Sequence, residues 1–85
     1  MVENEYLVDV IIDKEKCTLK TFATNHYFAL DAMIDLASVD KVFKIYNTEK
    51  KTSWDINKEL APLREAKKTI TNMSEYYNFL KEEEE

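Results

Sequence analysis

From Glu5 to Ile12 apolar residues alternate, with Tyr6, Val8, Val10 and Ile12 on one side and Leu7 and Ile11 beside Asp9 on the other. That two-residue period predicts a strand. Cys17 to Ala23 repeats it, setting Leu19 and Phe22 on opposite faces, and the polar Asp13 to Lys16 between them predicts a hairpin loop opened by a type I turn at Asp13. The period then lengthens. From His26 to Ala37, Tyr27, Leu30, Met33, Ile34 and Ala37 form one helical face, with Thr24 or Asn25 as N-cap. Phe28, Ala29, Ala32 and Leu36 carry the apolar arc most of the way round, leaving Asp31 and Asp35 as a narrow polar stripe.

Two further strands are expected. Lys41 to Asn47 places Phe43 with Ile45, and Val42 with Lys44 and Tyr46, on its two faces; Thr52 to Ile56 places Trp54 with Ile56. After Asn57 the apolar positions Leu63, Ala66, Ile70, Met73, Tyr77 and Leu80 trace the seam of an amphipathic helix. Pro62 sits where a first turn tolerates it, while Thr69 to Asn72 is poor helix material, so a break near Asn72 is expected, with Ser74 able to cap a second piece. The predicted fold is α+β, a small four-stranded antiparallel sheet in β-β-α-β-β-α order, forming one domain over residues 1–81 with an acidic tail at 82–85.

Such a sheet has apolar residues on both faces, and the first helix can cover only one. The second face needs the C-terminal helix or another copy of the chain. The central helix also has more apolar surface than one sheet face can cover, which predicts contact with the last helix or a partner. Phe28, Ala32 and Leu36, followed by Tyr76 and Phe79 beside the C-terminal seam, are the expected protein interface.

Charge narrows the partners. The net charge is −5, but setting aside the four terminal glutamates takes the acids from 17 to 13 against 12 bases, so the body is nearly neutral. A nucleic-acid mimic would need negative charge spread over a folded surface. The chain has no glycine, which excludes the loops that cradle phosphates by close backbone approach. Any left-handed backbone position should fall to Asn or Asp, with Asn25, Asn47, Asn57 and Asn72 the candidates. A single cysteine, an acidic N-terminus and apolar runs too short to span a bilayer lead us to expect a cytoplasmic protein outside the membrane.

No constellation for chemistry emerges. Asp31 and Asp35 have no matching ligand set; His26 and Cys17 are each alone of their type, without the base and orienting group that a nucleophile requires. We therefore expect no catalytic residues, no metal and no cofactor. Cys17 reads as a small apolar filler. The alternative function is binding of single-stranded nucleic acid by Lys20, Lys44, Tyr46, Lys50, Lys51 and Trp54, since aromatics interleaved with lysines can stack bases and neutralise phosphates. Arg64 is the sole arginine, and the terminal glutamates would repel a polyanion.

The stretch FATNHYFALDAMIDLASVDKVFKIYN, Phe22 to Asn47, in its lysine- and asparagine-rich, glycine-free setting, resembles small uncharacterised proteins of marine bacteriophages of the cyanophage type. The resemblance implies a phage accessory protein acting inside a bacterial cell, with no assigned activity. The expected function is a non-enzymatic interaction module, a small homo-oligomer or the partner of another protein.

Overall fold

The computed structural model describes residues 2–83. Among them the order is β1 (Asn4–Ile12), β2 (Glu15–Ala23), α1 (His26–Ile34), β3 (Val39–Asn47), β4 (Thr52–Glu59), α2 (Leu60–Thr69) and α3 (Met73–Glu83). The strands form one antiparallel sheet in the order β2-β1-β3-β4. The α+β class and the two hairpins match expectation. The C-terminal helix is divided at Ile70 to Asn72, as the weak helix formers there predict. No described helix is long and apolar enough to cross a membrane.

In β1, Asn4, Tyr6, Val8 and Val10 are buried and alternate with more accessible residues. One core cluster joins Tyr6, Val8, Val10, Val39, Val42, Ile45 and Ile56 of the sheet to Ala29, Leu30, Met33 and Ile34 of α1. Leu60 and Leu63 of α2 and Tyr76 and Leu80 of α3 complete it. All three helices therefore lie on the same side of the sheet. α1 is apolar nearly all round because the sheet meets one flank and the C-terminal helices another, where the Phe28 ring meets Tyr77 edge-on with centroids 4.7 Å apart. The C-terminal helices do not cross to the second sheet face, which stays uncovered among the described residues.

The turns correct two expectations. The β1–β2 connection is a two-residue turn at Asp13 (φ 54°) and Lys14 (φ 68°), not a longer loop opened by a type I turn. Two left-handed residues give the turn a twist that matches the strands. The other left-handed residues are Lys51 and Asn57, so among the candidate asparagines only Asn57 takes that conformation. The others use their side chains. Asn25 Oδ1 accepts from the Phe28 N–H and caps α1; Asn47 Oδ1 accepts from Glu49 and Lys50; Asn72 Oδ1 accepts from Ser74 and Glu75. Asn72, not Ser74, thus opens α3, satisfying donors that no helical carbonyl can reach.

β3 also departs from simple alternation. Its pairing with β1 shifts between Asp9 and Val10 and again between Ile11 and Ile12, leaving Phe43 and Asp40 as extra residues. The bulge sends Val42 to the core beside Ile45, and Phe43 to the opposite face with Lys44 and Tyr46. The expected grouping of Phe43 with Ile45 is therefore wrong, because one inserted residue reverses side-chain parity. α1 ends at Ile34, earlier than the expected Ala37, and Leu36 lies in the loop beyond it. α3 runs on to Glu83, so the first glutamates of the acidic run continue the helix; the last two lie outside the described residues.

Candidate interaction surface

The uncovered sheet face is built by register. Cross-strand partners share a face, so Phe22 lies beside Glu5, Lys20 beside Leu7 and Tyr46, Thr18 beside Asp9 and Lys44, and Lys16 beside Ile11 and Lys41. β4 adds Ser53, Asp55 and Glu59 to these rows. Phe22 is 58% exposed, while Leu7, Ile11, Phe43 and Tyr46 are half-buried among the long charged side chains. The ammonium groups of Lys16 and Lys41 lie 5.0 and 4.8 Å from the Phe43 ring centroid, a cation–π arrangement that also shields the ring. Thr18 Oγ1 donates to Asp9 Oδ1 at 2.8 Å, and Lys20 approaches Glu5 at 3.9 Å. Beside these residues a shallow depression of about 300 Å³ is lined by Asp9, Val10, Lys16, Cys17, Thr18 and Phe43. Cys17, whose cross-strand partner is Val10, is exposed at the sheet edge, not packed as filler.

Charge on this face is balanced. Lys16, Lys20, Lys41 and Lys44 are matched by Glu5, Asp9, Asp55 and Glu59. Apolar groups among both signs suit another protein surface; a polyanion needs an excess of cations.

Of the residues expected at an interface on the helices, Phe28 and Leu36 are partly open, at 38% and 43% exposure. Ala32 and Phe79 are half-buried against the core. Tyr76 corrects the expectation: it is 1% exposed, a core residue unavailable to any partner. Its hydroxyl donates to Asp31 Oδ1 at 2.6 Å, and that hydrogen bond makes burial of a polar tip tolerable.

That bond belongs to a cluster the spacing of Asp31 and Asp35 only half reveals. Lys67 Nζ, from α2, donates to Asp31 Oδ1 at 2.8 Å and to Asp35 Oδ1 at 2.6 Å. Burial works against the Lys67 charge, but the two carboxylates outweigh it, and the ammonium pKa is raised. Burial and then the bond to Asp31 push the Tyr76 phenol upward; burial and the Asp31 charge do the same for Tyr77. The polar stripe is thus a clasp between α1, α2 and α3, in which Asp31 is largely covered while Asp35, just past the end of α1, stays exposed. No group of three or more His, Cys, Asp or Glu is placed to hold a metal ion among the described residues.

The nucleic-acid set is divided. Lys20, Lys44 and Tyr46 share the open face, and Lys50 and Lys51 lie in the β3–β4 turn. Trp54 pairs with the buried Ile45, so it faces the helices, where His26 stacks on it with centroids 3.9 Å apart and planes at 8°. Arg64 is also committed inward. Its Nε donates to the Ile34 carbonyl at 2.9 Å and its Nη2 to those of Leu36 and Val39. The guanidinium holds the chain where α1 hands over to β3, a role that no spacing in the sequence signals. No family model, curated protein or solved structure matches this chain.

Proposed function

We propose that this chain is a non-enzymatic interaction module that works by protein contact as a small homo-oligomer, with the open sheet face as its working surface. The observation carrying this reading is that all three helices cover one face, while Leu7, Ile11, Phe22, Phe43 and Tyr46 sit on the other amid balanced charge. Apolar groups in that setting gain by leaving water when a partner arrives, and until then the charged side chains around them keep the face hydrated. The cluster at Asp31 supports the same reading, since Lys67 and the Tyr76 hydroxyl are bound there to tie the helices together. A phage accessory role within a bacterial cell is the setting that the resemblance of Phe22 to Asn47 implies.

The second reading keeps one favourable observation, the sharing of the open face by Lys20, Lys44, Phe22 and Tyr46. Light scattering from micromolar to millimolar protein, run with a titration of labelled single-stranded RNA and DNA at two salt concentrations, separates the two. Mass above the monomer without nucleic-acid binding is the expected result. A monomer that binds either strand, with affinity falling steeply as salt rises, would replace the protein-contact reading with the nucleic-acid one.

A further inference from the structure

The sheet has two edges, and they differ. β4 is interrupted opposite Phe43, where Asn57 takes φ 51°, and its end at Glu59 passes directly into α2. Such irregularities blunt an edge. β2 has none: its nine residues pair with β1 from Asn4↔Ala23 to Ile12↔Glu15 without a register shift, and most are exposed.

The hydrogen-bond phase of β2 follows from one contact. The Thr48 N–H donates to the Glu5 carbonyl, so Glu5 turns its peptide groups toward β3, and Tyr6, Val8 and Val10 turn theirs toward β2. Their partners Thr21, Leu19 and Cys17 face back into the sheet. The peptide groups of Lys16, Thr18, Lys20 and Phe22 therefore point outward, and their side chains lie on the open face.

The geometry points to self-association of β2 with β2 of a second copy, antiparallel and centred on Leu19, joining two sheets into one eight-stranded sheet with a continuous open face. This inference rests on the protein-contact reading above and names its partner and register. The lysines select it. Centring on Thr18 sets Lys16 opposite the second copy's Lys20, and centring on Lys20 sets that lysine against itself; like charges directly opposed disfavour both. Centring on Leu19, the middle of the strand, sets Lys16 opposite Phe22 and Thr18 opposite Lys20, with Leu19 against Leu19 on the helix side. This register pairs the whole strand, brings every outward peptide group into a hydrogen-bonded pair, and places an ammonium beside the most exposed aromatic of the face.

The test is a cysteine scan in full-length protein. With Cys17→Ser as background, Thr18→Cys, Leu19→Cys and Lys20→Cys are oxidised mildly, and covalent dimer is followed on non-reducing gels, with circular dichroism checking the fold. Leu19 would oppose its copy in a narrow pair with Cα atoms about 4.5 Å apart, within disulfide range. The unmodified Cys17 and its copy would be about 14 Å apart, too far to bridge. Leu19→Cys is expected to crosslink about tenfold faster than the other positions and the unmodified chain. Lys20→Pro removes an outward N–H that no described strand uses; it should keep the circular-dichroism spectrum while light scattering falls to monomer mass. Fastest crosslinking at position 17, 18 or 20 overturns the register. An oligomer whose mass Lys20→Pro leaves unchanged overturns edge pairing but leaves the protein-contact reading standing. A monomer at all concentrations overturns both.

Discussion

Arg64 is where one residue should carry an outsized share of stability. In Arg64→Met the aliphatic stem stays but the donors to Ile34, Leu36 and Val39 are lost. Hydrogen bonds from a charged donor contribute about 1.5–3 kcal/mol each. The Leu36 contact is exposed, and that carbonyl can take a water instead; the Ile34 and Val39 contacts are partly buried, and their carbonyls lose a partner water replaces poorly. Two such losses, discounted for partial solvent access, give about 2–4 kcal/mol, a large part of the roughly 5–10 kcal/mol expected of a domain this small. The thermal midpoint should fall by about 10–20 °C. Arg64→Lys should recover about half, because an ammonium is one point of charge and cannot span carbonyls that the planar fork reaches from two nitrogens. Urea unfolding by far-UV circular dichroism measures all three proteins. A Met variant within about 0.5 kcal/mol of the parent would refute the clamp, since changes of that size are typical of surface positions.

The other predictions concern the clasp and the β4 bulge. Tyr76→Phe should cost about 1–2 kcal/mol in urea unfolding at neutral pH by removing the donor to Asp31. Lys67 and Tyr76 both have pKa values raised in the fold above their ordinary 10.5 and 10.0, so they hold their protons more tightly when folded than unfolded. The stability they contribute is therefore complete below about pH 10 and is lost as pH climbs through the raised values. Unfolding curves from pH 8 to about pH 11 should show that decline, and Tyr76→Phe should flatten it; a decline of equal slope in the variant would exclude Tyr76 as a source. At Asn57, φ 51° suits glycine, so Asn57→Gly should leave the thermal midpoint nearly unchanged while Asn57→Val lowers stability by more than about 1 kcal/mol. Equal midpoints would show that the bulge relaxes.

Much of the surface is legible in the sequence alone. The alternation of β1 assigns Leu7 and Ile11 to the side opposite Val8 and Val10, and the β2 pattern sends Phe22 away from Leu19; register then brings these to one face, with Lys20 and Lys44 among them. Phe43 could not be placed this way. Its parity depends on a bulge, and a bulge is a choice made by two strands together, visible only in their pairing.

Local order was decided locally. Strand and helix periods, the break at Ile70 to Asn72 and the existence of the two hairpins follow from neighbours a few residues apart, where the backbone's few allowed conformations leave a clear trace in the pattern of side chains; the conformation of the β1–β2 turn, at Asp13 and Lys14, left none. Contacts made at long range left no such trace. Asp31 meets Lys67 across 36 residues and Tyr76 across 45, and Arg64 reaches Ile34 across 30. Which sheet face the last helices cover was likewise settled in three dimensions. Both faces have apolar residues enough to attract them, and on the side where α1 already lies Asp31 receives Tyr76 and Lys67 while the carbonyls of Ile34, Leu36 and Val39 receive Arg64.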